Sequence, residues 1–232
     1  TNSIKNAVKD GFSEVTLLGQ NVNSYNYDGS KFHVLLENLV KVNGLKRLRY
    51  TSPHPQDITI ELLEVMARYD NICNSIHLPL QSGSDRILKR MNRSYTRDHF
   101  INIARTIREI LPNAGISTDI IVGFPGETAN DFKELKNFVK DIKFDRLGVF
   151  TYSEEAGTHG ASLKDDVSGK VKTERMDAIM MLQQDMNWKK NQTLIGNIEK
   201  VLIDGHSEDG SSIGRSYRDA PEVDNFVRVD EK

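Results

Sequence analysis

Cysteine is almost absent from this sequence of 232 residues, in which Cys73 is the single example. One thiol excludes an internal disulfide and any metal site built from several cysteines of this chain. Long hydrophobic runs are also missing, since no stretch approaches the roughly 20 apolar residues of a membrane-spanning helix. Residues 1–15 have no basic segment followed by an apolar one, so a signal peptide is not indicated. We therefore expect a cytoplasmic protein with no membrane partner.

An excess of charge of either sign is missing as well. The chain has 31 Lys and Arg against 33 Asp and Glu, which gives a net charge of −2. This balance excludes a uniformly basic nucleic-acid binder but is compatible with a local basic surface. Because 38% of the residues are hydrophobic and 28% are charged, the composition is typical of a folded globular domain.

Short apolar strands alternate with amphipathic helices along the first two thirds of the sequence. Strands are predicted at 14–18, 47–52, 75–80, 115–122 and 146–152, and helices at 2–10, 31–42, 60–69, 96–111 and 130–142. This order predicts a parallel sheet covered by helices, either a βα barrel or an open doubly wound sheet. Both architectures place their binding sites at the carboxyl ends of the strands.

Each predicted strand ends in a polar loop, and most of these loops contain glycine or proline. The loops are GQN (19–21), SPHP (52–55), QSGS (81–84), GFPGE (123–127) and YS (152–153). Glycine and proline also mark ordinary turns, so each loop alone has a structural explanation. Five such loops at one edge of a sheet favour a shared pocket.

The last third of the sequence has a different pattern. A long helix predicted at 171–192 carries four methionines whose spacing favours packing in the core, namely Met176, Met180, Met181 and Met186. After Gly196 short strands are predicted at 198–204, 212–217 and 226–229. We predict an α/β domain at 1–165, a connecting helix at 166–195 and a small all-β domain at 196–232. The all-β domain is expected to be truncated, because three strands seldom close a barrel.

Longer motifs resemble those of the radical S-adenosylmethionine methylthiotransferases. They are LLGQNVNSY (17–25), TSPHP (51–55), HLPLQSGSDRILKRMNR (77–93), STDIIVGFPGET (117–128) and FTYSEEAGT (150–158), and GRSYRDAPEVD (214–224) resembles the family's small β domain, called TRAM. The resemblance implies a partial parallel βα, TIM-like barrel followed by a TRAM-like domain. The family's first barrel strand leads into a CxxxCxxC loop that is missing here, so we expect an internal fragment that lacks this strand.

The resemblance also implies the cofactors, which are S-adenosylmethionine and two 4Fe-4S clusters in the intact enzyme. Because a cluster needs about three or four thiolates, this chain alone should be inactive. The residues that match the cofactor pocket are Gln20 for the amino-acid portion, Ser52, Gln81 and Ser82 for the carboxylate or ribose, Asp119 for a ribose hydroxyl, and Gly123 and Phe124 for adenine. No catalytic residue or metal ligand is predicted, and we expect His54 and His77 to be structural or pocket-lining.

The resemblance is compatible with two substrates. One branch of the family modifies an N6-modified adenosine of tRNA, and the other modifies an aspartate of a ribosomal protein. The barrel motifs resemble the tRNA branch, whereas LGVFTYSEEAGTH and DAPEVD resemble the protein branch. Residues 85–108 carry seven basic and two acidic residues, which suits phosphate contacts, but residues 196–232 carry five basic and nine acidic ones.

We favour tRNA as the substrate and an electron-donor protein as a second partner. The predicted tRNA-binding residues are Lys89, Arg90, Arg93, Arg215 and Arg218. A ribosomal protein is the alternative substrate. The alternative from outside the enzymes is a non-catalytic barrel that binds a nucleotide or RNA.

Overall fold

The computed structural model describes residues 1–221 and 224–230, so Glu222 and Val223 of the DAPEVD stretch lie outside the described residues. The helices of the described part are α1 (Asn2–Lys9), α2 (Phe32–Val40), α3 (Ile60–Arg68), α4 (Asp85–Arg90), α5 (Arg97–Ile110), α6 (Ala129–Ile142) and α7 (Gly169–Leu194). The strands are β1 (Glu14–Leu17), β2 (Asn26–Tyr27), β3 (Ser30–Lys31), β4 (Arg47–Tyr50), β5 (Ser75–His77), β6 (Gly115–Val122), β7 (Arg146–Thr151), β8 (Leu202–His206), β9 (Ser212–Arg215) and β10 (Val227–Val229). Within these residues, no helix has the length and apolar character needed to cross a membrane.

Five parallel strands form the wall of a partial barrel. β1 pairs with β4, and β5, β6 and β7 form a second parallel sheet. The backbone of Leu48 in β4 connects the two sheets, because it bonds to Asn71 and Cys73 just before β5. The order is therefore β1-β4-β5-β6-β7, and the predicted α/β barrel is confirmed.

The two faces of β6 explain why the barrel has both a core and a cavity. Ile116, Ile120 and Val122 are completely buried on the outer face, whereas Ser117 and Asp119 are partly exposed on the inner face. Side chains alternate between faces along a strand, so the GISTDIIV pattern sorts them in this way. A TIM barrel is normally filled by bulky aliphatic side chains, but the inner positions here are small or polar and leave the interior open.

The C-terminal β domain is a three-stranded antiparallel sheet in the order β10-β9-β8. It packs on the amino-terminal ends of the barrel strands, opposite the loops that follow them. Arg47, the first residue of β4, donates to the carbonyls of Lys200 (3.0 Å), Arg215 (2.9 Å) and Ser216 (3.2 Å). Arg146, the first residue of β7, pairs with Asp219 of the β domain at 2.7 Å.

Two details of the C-terminal third differ from the sequence prediction. Met176 and Met186 pack against the core as predicted, but Met180 and Met181 are 47% and 70% exposed, so the prediction of core packing is wrong for these two. The reason is that this face of α7 borders the barrel cavity rather than the helical layer. The strand predicted at 198–204 is β8, which begins later, at Leu202.

Candidate cofactor and substrate site

A cavity of about 1170 Å³ occupies the inner side of the partial barrel. The barrel strands and the loop after β4 line it with Arg49, Ser52, Ser75, His77, Ser117, Asp119, Arg146, Gly148 and Phe150. Helix α7 contributes Met180 and Met181 together with polar residues, and the β domain contributes Ala220, Asp224 and Asn225. The polar residues of α7 at the cavity are Asp177, Gln183, Gln184 and Asn187. The cavity therefore has polar groups on its strand wall, a mixed side formed by α7, and a contribution from the C-terminal domain.

His77 and Asp119 form the centre of the strand wall. The Nε2 atom of His77 lies 3.2 Å from Oδ2 of Asp119, and its Nδ1 lies 2.9 Å from Oγ of Ser117. The parallel pairing of β5 with β6 places His77 opposite Ser117, so these side chains meet on one face. Asp119 is predicted as a cofactor ligand, and the prediction for His77 is structural or pocket-lining; the structure places both in the cavity wall.

The loops at the carboxyl ends of the strands have an unusual backbone conformation. Asn21 (φ 52°), Ser52 (φ 56°), Gln81 (φ 69°) and Gly123 (φ 72°) all lie in the left-handed region. This region is sparsely populated by residues other than glycine and costs about 1 to 3 kcal/mol, and such residues cluster at functional sites. This edge of the sheet is therefore a good candidate for ligand binding.

The cofactor residues predicted from the sequence do not all reach the cavity. Ser52 and Asp119 line it, whereas Gln20 is exposed on the loop after β1. The backbone of Gln81 is bonded to β6, and its side chain is half-buried. The structure does not bring Ser82 to the cavity, because its side chain is buried and its hydroxyl accepts a bond from the Ser84 amide at 3.3 Å.

Gly123 and Phe124, predicted for the adenine side, are in contact with other parts of the protein. A Cβ on Gly123 would lie 2.3 Å from Cγ of Lys172, so the missing side chain makes room for α7. Phe124 is buried, and its ring packs edge-on against Tyr152 at 5.1 Å. The sequence alone gave no indication that α7 covers this loop.

Glu127 is the last residue of the same loop. It precedes α6, which begins at Ala129 with Thr128 as its cap. Glu127 is buried, accepts from the Gly123 amide at 2.8 Å, and pairs with Arg175 of α7 at 2.6 Å. Burial raises the pKa of Glu127, although the Gly123 amide and the Arg175 guanidinium oppose this shift.

The basic residues predicted to contact tRNA fall into two groups at opposite ends of the strands. Lys89 and Arg93 are exposed, with no carboxylate partner among the residues that the structure describes. Arg90 lies along the loop after β6 and donates to the Pro125 carbonyl at 3.0 Å. These three side chains therefore leave positive charge at the edge of the barrel that carries the loops.

Arg215 and Arg218 belong to the β domain, at the other end. Arg215 pairs with Asp204 at 2.6 Å and with Glu14 at 3.0 Å, and these carboxylates raise its pKa. Arg218 pairs with Glu199 at 3.3 Å and stacks on the Tyr217 ring. Their charges are neutralised within the protein. They also lie at the opposite end of the strands from Lys89, Arg90 and Arg93.

The residues described here fit S-adenosylmethionine but not an iron-sulfur cluster. A cavity with carboxylate, hydroxyl and imidazole groups offers partners for the ribose and the amino-acid portion of the cofactor. Cys73, in contrast, is buried, and burial raises the pKa of its thiol, whereas a cluster needs about three or four thiolates. Among the described residues, no group of three or more His, Cys, Asp or Glu side chains is placed to hold a metal ion.

The strand order and the inner cavity define an α/β partial-barrel protein with a binding site on the inner face of its sheet. Residues 2–139 match the Radical SAM superfamily, and residues 195–232 match the TRAM domain. The chain belongs to the radical SAM superfamily. The resemblance inferred from the strand-end motifs is thereby confirmed.

Relatives of known name point in the same direction. The chain is 43% identical over 205 residues to the tRNA-2-methylthio-N(6)-dimethylallyladenosine synthase of Pelotomaculum thermopropionicum, covering 87% of this chain and 46% of that protein. The synthase of the same name from Thermodesulfovibrio yellowstonii is 43% identical over 208 residues, with 90% and 48% covered. The chain thus spans about half the length of the curated relatives it matches.

Solved structures with low sequence identity share the fold. Coproporphyrinogen III oxidase from Escherichia coli, a radical SAM enzyme, superimposes with a TM-score of 0.59 at 17% identity, covering 80% of this chain and 45% of that one. Methylornithine synthase gives a TM-score of 0.55 at 15% identity, covering 79% and 53%. These similarities support the partial-barrel architecture.

Proposed function

We propose that the protein containing this chain inserts a methylthio group at C2 of an N6-modified adenosine in tRNA by radical S-adenosylmethionine chemistry. The observation that carries the proposal is a cavity with polar groups on its strand wall, inside the partial barrel of a chain that is 43% identical to synthases named for this product. The intact enzyme would use two 4Fe-4S clusters, held by cysteines that this chain does not have, and an electron-donor protein. Because its substrate is tRNA, we place the enzyme in the cytoplasm.

In this proposal the inner face of the barrel holds S-adenosylmethionine. When bound beside a reduced cluster, the cofactor supplies the radical that activates the substrate C–H bond. Asp119 accepts from a ribose hydroxyl, and Ser52 donates to the carboxylate of the cofactor. Gln20 and Gln81, on the loops at the same edge, bind the amino-acid portion.

The tRNA backbone would contact the barrel edge that carries Lys89, Arg90 and Arg93. Reversing the two exposed charges, with Lys89→Glu and Arg93→Glu, is expected to weaken tRNA binding. It should also reduce the slope of log K against log salt by about 2, because each lost phosphate contact removes roughly 0.9. Filter binding across a salt series measures both quantities. The matched control reverses the exposed Lys5 and Lys9 of α1, and an unchanged slope in the first variant would contradict this assignment.

Mass spectrometry of cells that lack the gene tests the proposed function. The 2-methylthio group should disappear from tRNA adenosine while the N6-modified precursor remains. Loss of a methylthio mark only from a ribosomal protein would overturn the choice of substrate in favour of the alternative. If both marks persist, the protein is not a methylthiotransferase, and a non-catalytic nucleotide- or RNA-binding role replaces the proposal.

A further inference from the structure

His77 uses both of its ring nitrogens on groups of the neighbouring strand. A neutral imidazole has one donor and one acceptor, and an ionised carboxylate only accepts. Because Nε2 lies 3.2 Å from the Asp119 carboxylate, this nitrogen carries the proton and donates to Oδ2. The Nδ1 atom then accepts from the Ser117 hydroxyl at 2.9 Å. The Asp119 carboxylate therefore fixes the tautomer, and the contact with Ser117 helps to hold the orientation of the ring.

Gly148 constrains the same carboxylate from the other side. β6 pairs with β7 so that Asp119 lies opposite Gly148. A Cβ on Gly148 would lie 2.7 Å from Oδ1 of Asp119, so the carboxylate occupies space that any side chain would take. Gly148 does not have a left-handed backbone, so glycine is needed here for space rather than for conformation.

The two constraints leave Asp119 with one engaged and one available oxygen. Oδ2 is held by His77, whereas Oδ1 has no hydrogen-bond partner among the described residues. The Asp119 side chain is 40% exposed, and its exposed surface faces the cavity. A carboxylate held in this way presents a hydrogen-bond acceptor in a fixed direction, which lowers the entropic cost of binding a hydroxyl.

We propose that His77 is a positioning residue that orients Asp119, so that the free carboxylate oxygen receives a ribose hydroxyl of S-adenosylmethionine. This inference rests on the proposed function, since it takes the cofactor and its hydroxyl contact from there. His77 acts through Asp119 and does not itself contact the ligand. A residue that only supports the fold would affect all ligands of the cavity equally.

Binding of ribose-modified ligands to the intact, cluster-loaded protein distinguishes these roles. The dissociation constants of S-adenosylmethionine and of its 2′-deoxy and 3′-deoxy analogues are measured by calorimetry for the wild type, His77→Ala, His77→Gln and Asp119→Asn. His77→Ala should weaken S-adenosylmethionine binding by about tenfold, which is the scale of one hydrogen bond. For the analogue that lacks the contacted hydroxyl, His77→Ala should weaken binding by less than about twofold.

A conservative variant and two controls sharpen the test. His77→Gln should keep most of the affinity, because the glutamine amide can still donate to Asp119. His99→Gln changes an exposed histidine of α5, which does not line the cavity, and should change no affinity. Ser117→Ala frees Nδ1 and gives a milder loss with the same dependence on the hydroxyl, so the test remains decisive if His77→Ala does not fold.

Equal losses for all three ligands, or an unchanged affinity of His77→Ala for S-adenosylmethionine, would overturn the positioning role. The outcome is separate from that of the proposed function. If tRNA keeps its methylthio mark in cells lacking the gene while the hydroxyl-dependent loss is observed, the substrate assignment fails and the role of His77 stands. If the mark disappears and no hydroxyl dependence is found, the substrate assignment stands and the positioning role of His77 fails.

Discussion

Replacing Arg47 with alanine is expected to lower the free energy of unfolding by about 3 kcal/mol and to loosen the β domain from the barrel. The Arg47 side chain donates to three backbone carbonyls of the β domain, and the residue is only 7% exposed. Hydrogen bonds from a charged group contribute about 1.5 to 3 kcal/mol each and are not additive, and the variant leaves buried carbonyls without a donor.

Urea denaturation and hydrogen exchange measure the effect of Arg47→Ala. Amides of residues 200–216 should exchange faster than in the wild type, while those of β6 should keep their protection. Arg68→Ala is the control, because Arg68 makes a surface pair with Glu37 and its side chain is 58% exposed. Such a pair contributes at most about 1 kcal/mol. Equal destabilisation by the two variants would show that the Arg47 contacts do not hold the domains together.

The alternation of elements in the barrel follows directly from the sequence. In residues 115–122 the strand pattern sorts Ile116 and Ile120 from Ser117 and Asp119, and the observed β6 has these bounds. The role of Arg47 has no such local signal. It depends on carbonyls of a domain more than 150 residues away, which periodicity within a short window does not detect.

The candidate site shows the same division between local and long-range information. Ser52 and Asp119 were predicted from their positions in strand-end motifs, and both line the cavity. The contact of Asp119 with His77 depends on the register between two strands, and one sequence does not give this register directly. The space that Gly148 leaves for the Asp119 carboxylate also depends on strand register, because it follows from the pairing of β6 with β7.

The structure also changes how the predicted tRNA-binding residues are divided. Sequence reasoning treats an arginine of the β domain and one just after α4 as equivalent positive charges. In the folded chain Arg215 is surrounded by Glu14 and Asp204, so its charge is compensated. Arg93 has no carboxylate partner among the described residues and is exposed. The difference arises because ion pairs between domains are set by tertiary packing rather than by composition.

Arg175→Met is expected to lower the free energy of unfolding by about 3 to 5 kcal/mol at pH 7. The pair of Arg175 with Glu127 is buried, since the Glu127 side chain is 1% exposed and that of Arg175 is 11% exposed. Removing one partner of a buried ion pair leaves an uncompensated charge, which is far more costly than removing both. The double variant Glu127→Gln with Arg175→Met should therefore recover most of the loss, because the glutamine oxygen still accepts from the Gly123 amide.

The pH dependence of this loss identifies its cause. Burial already raises the pKa of Glu127, and removing Arg175 takes away a group that opposes the shift. A carboxyl whose folded-state pKa is raised destabilises the fold only when it is ionised. The loss of unfolding free energy caused by its charge is therefore absent below the ordinary pKa of glutamate, about 4.3. This loss grows as the pH rises above that value. Urea denaturation at pH 4.5 should give a smaller difference from the wild type than at pH 7. If the two differences are equal, the stability comes from packing of Arg175 against Phe132 rather than from the charge of Glu127.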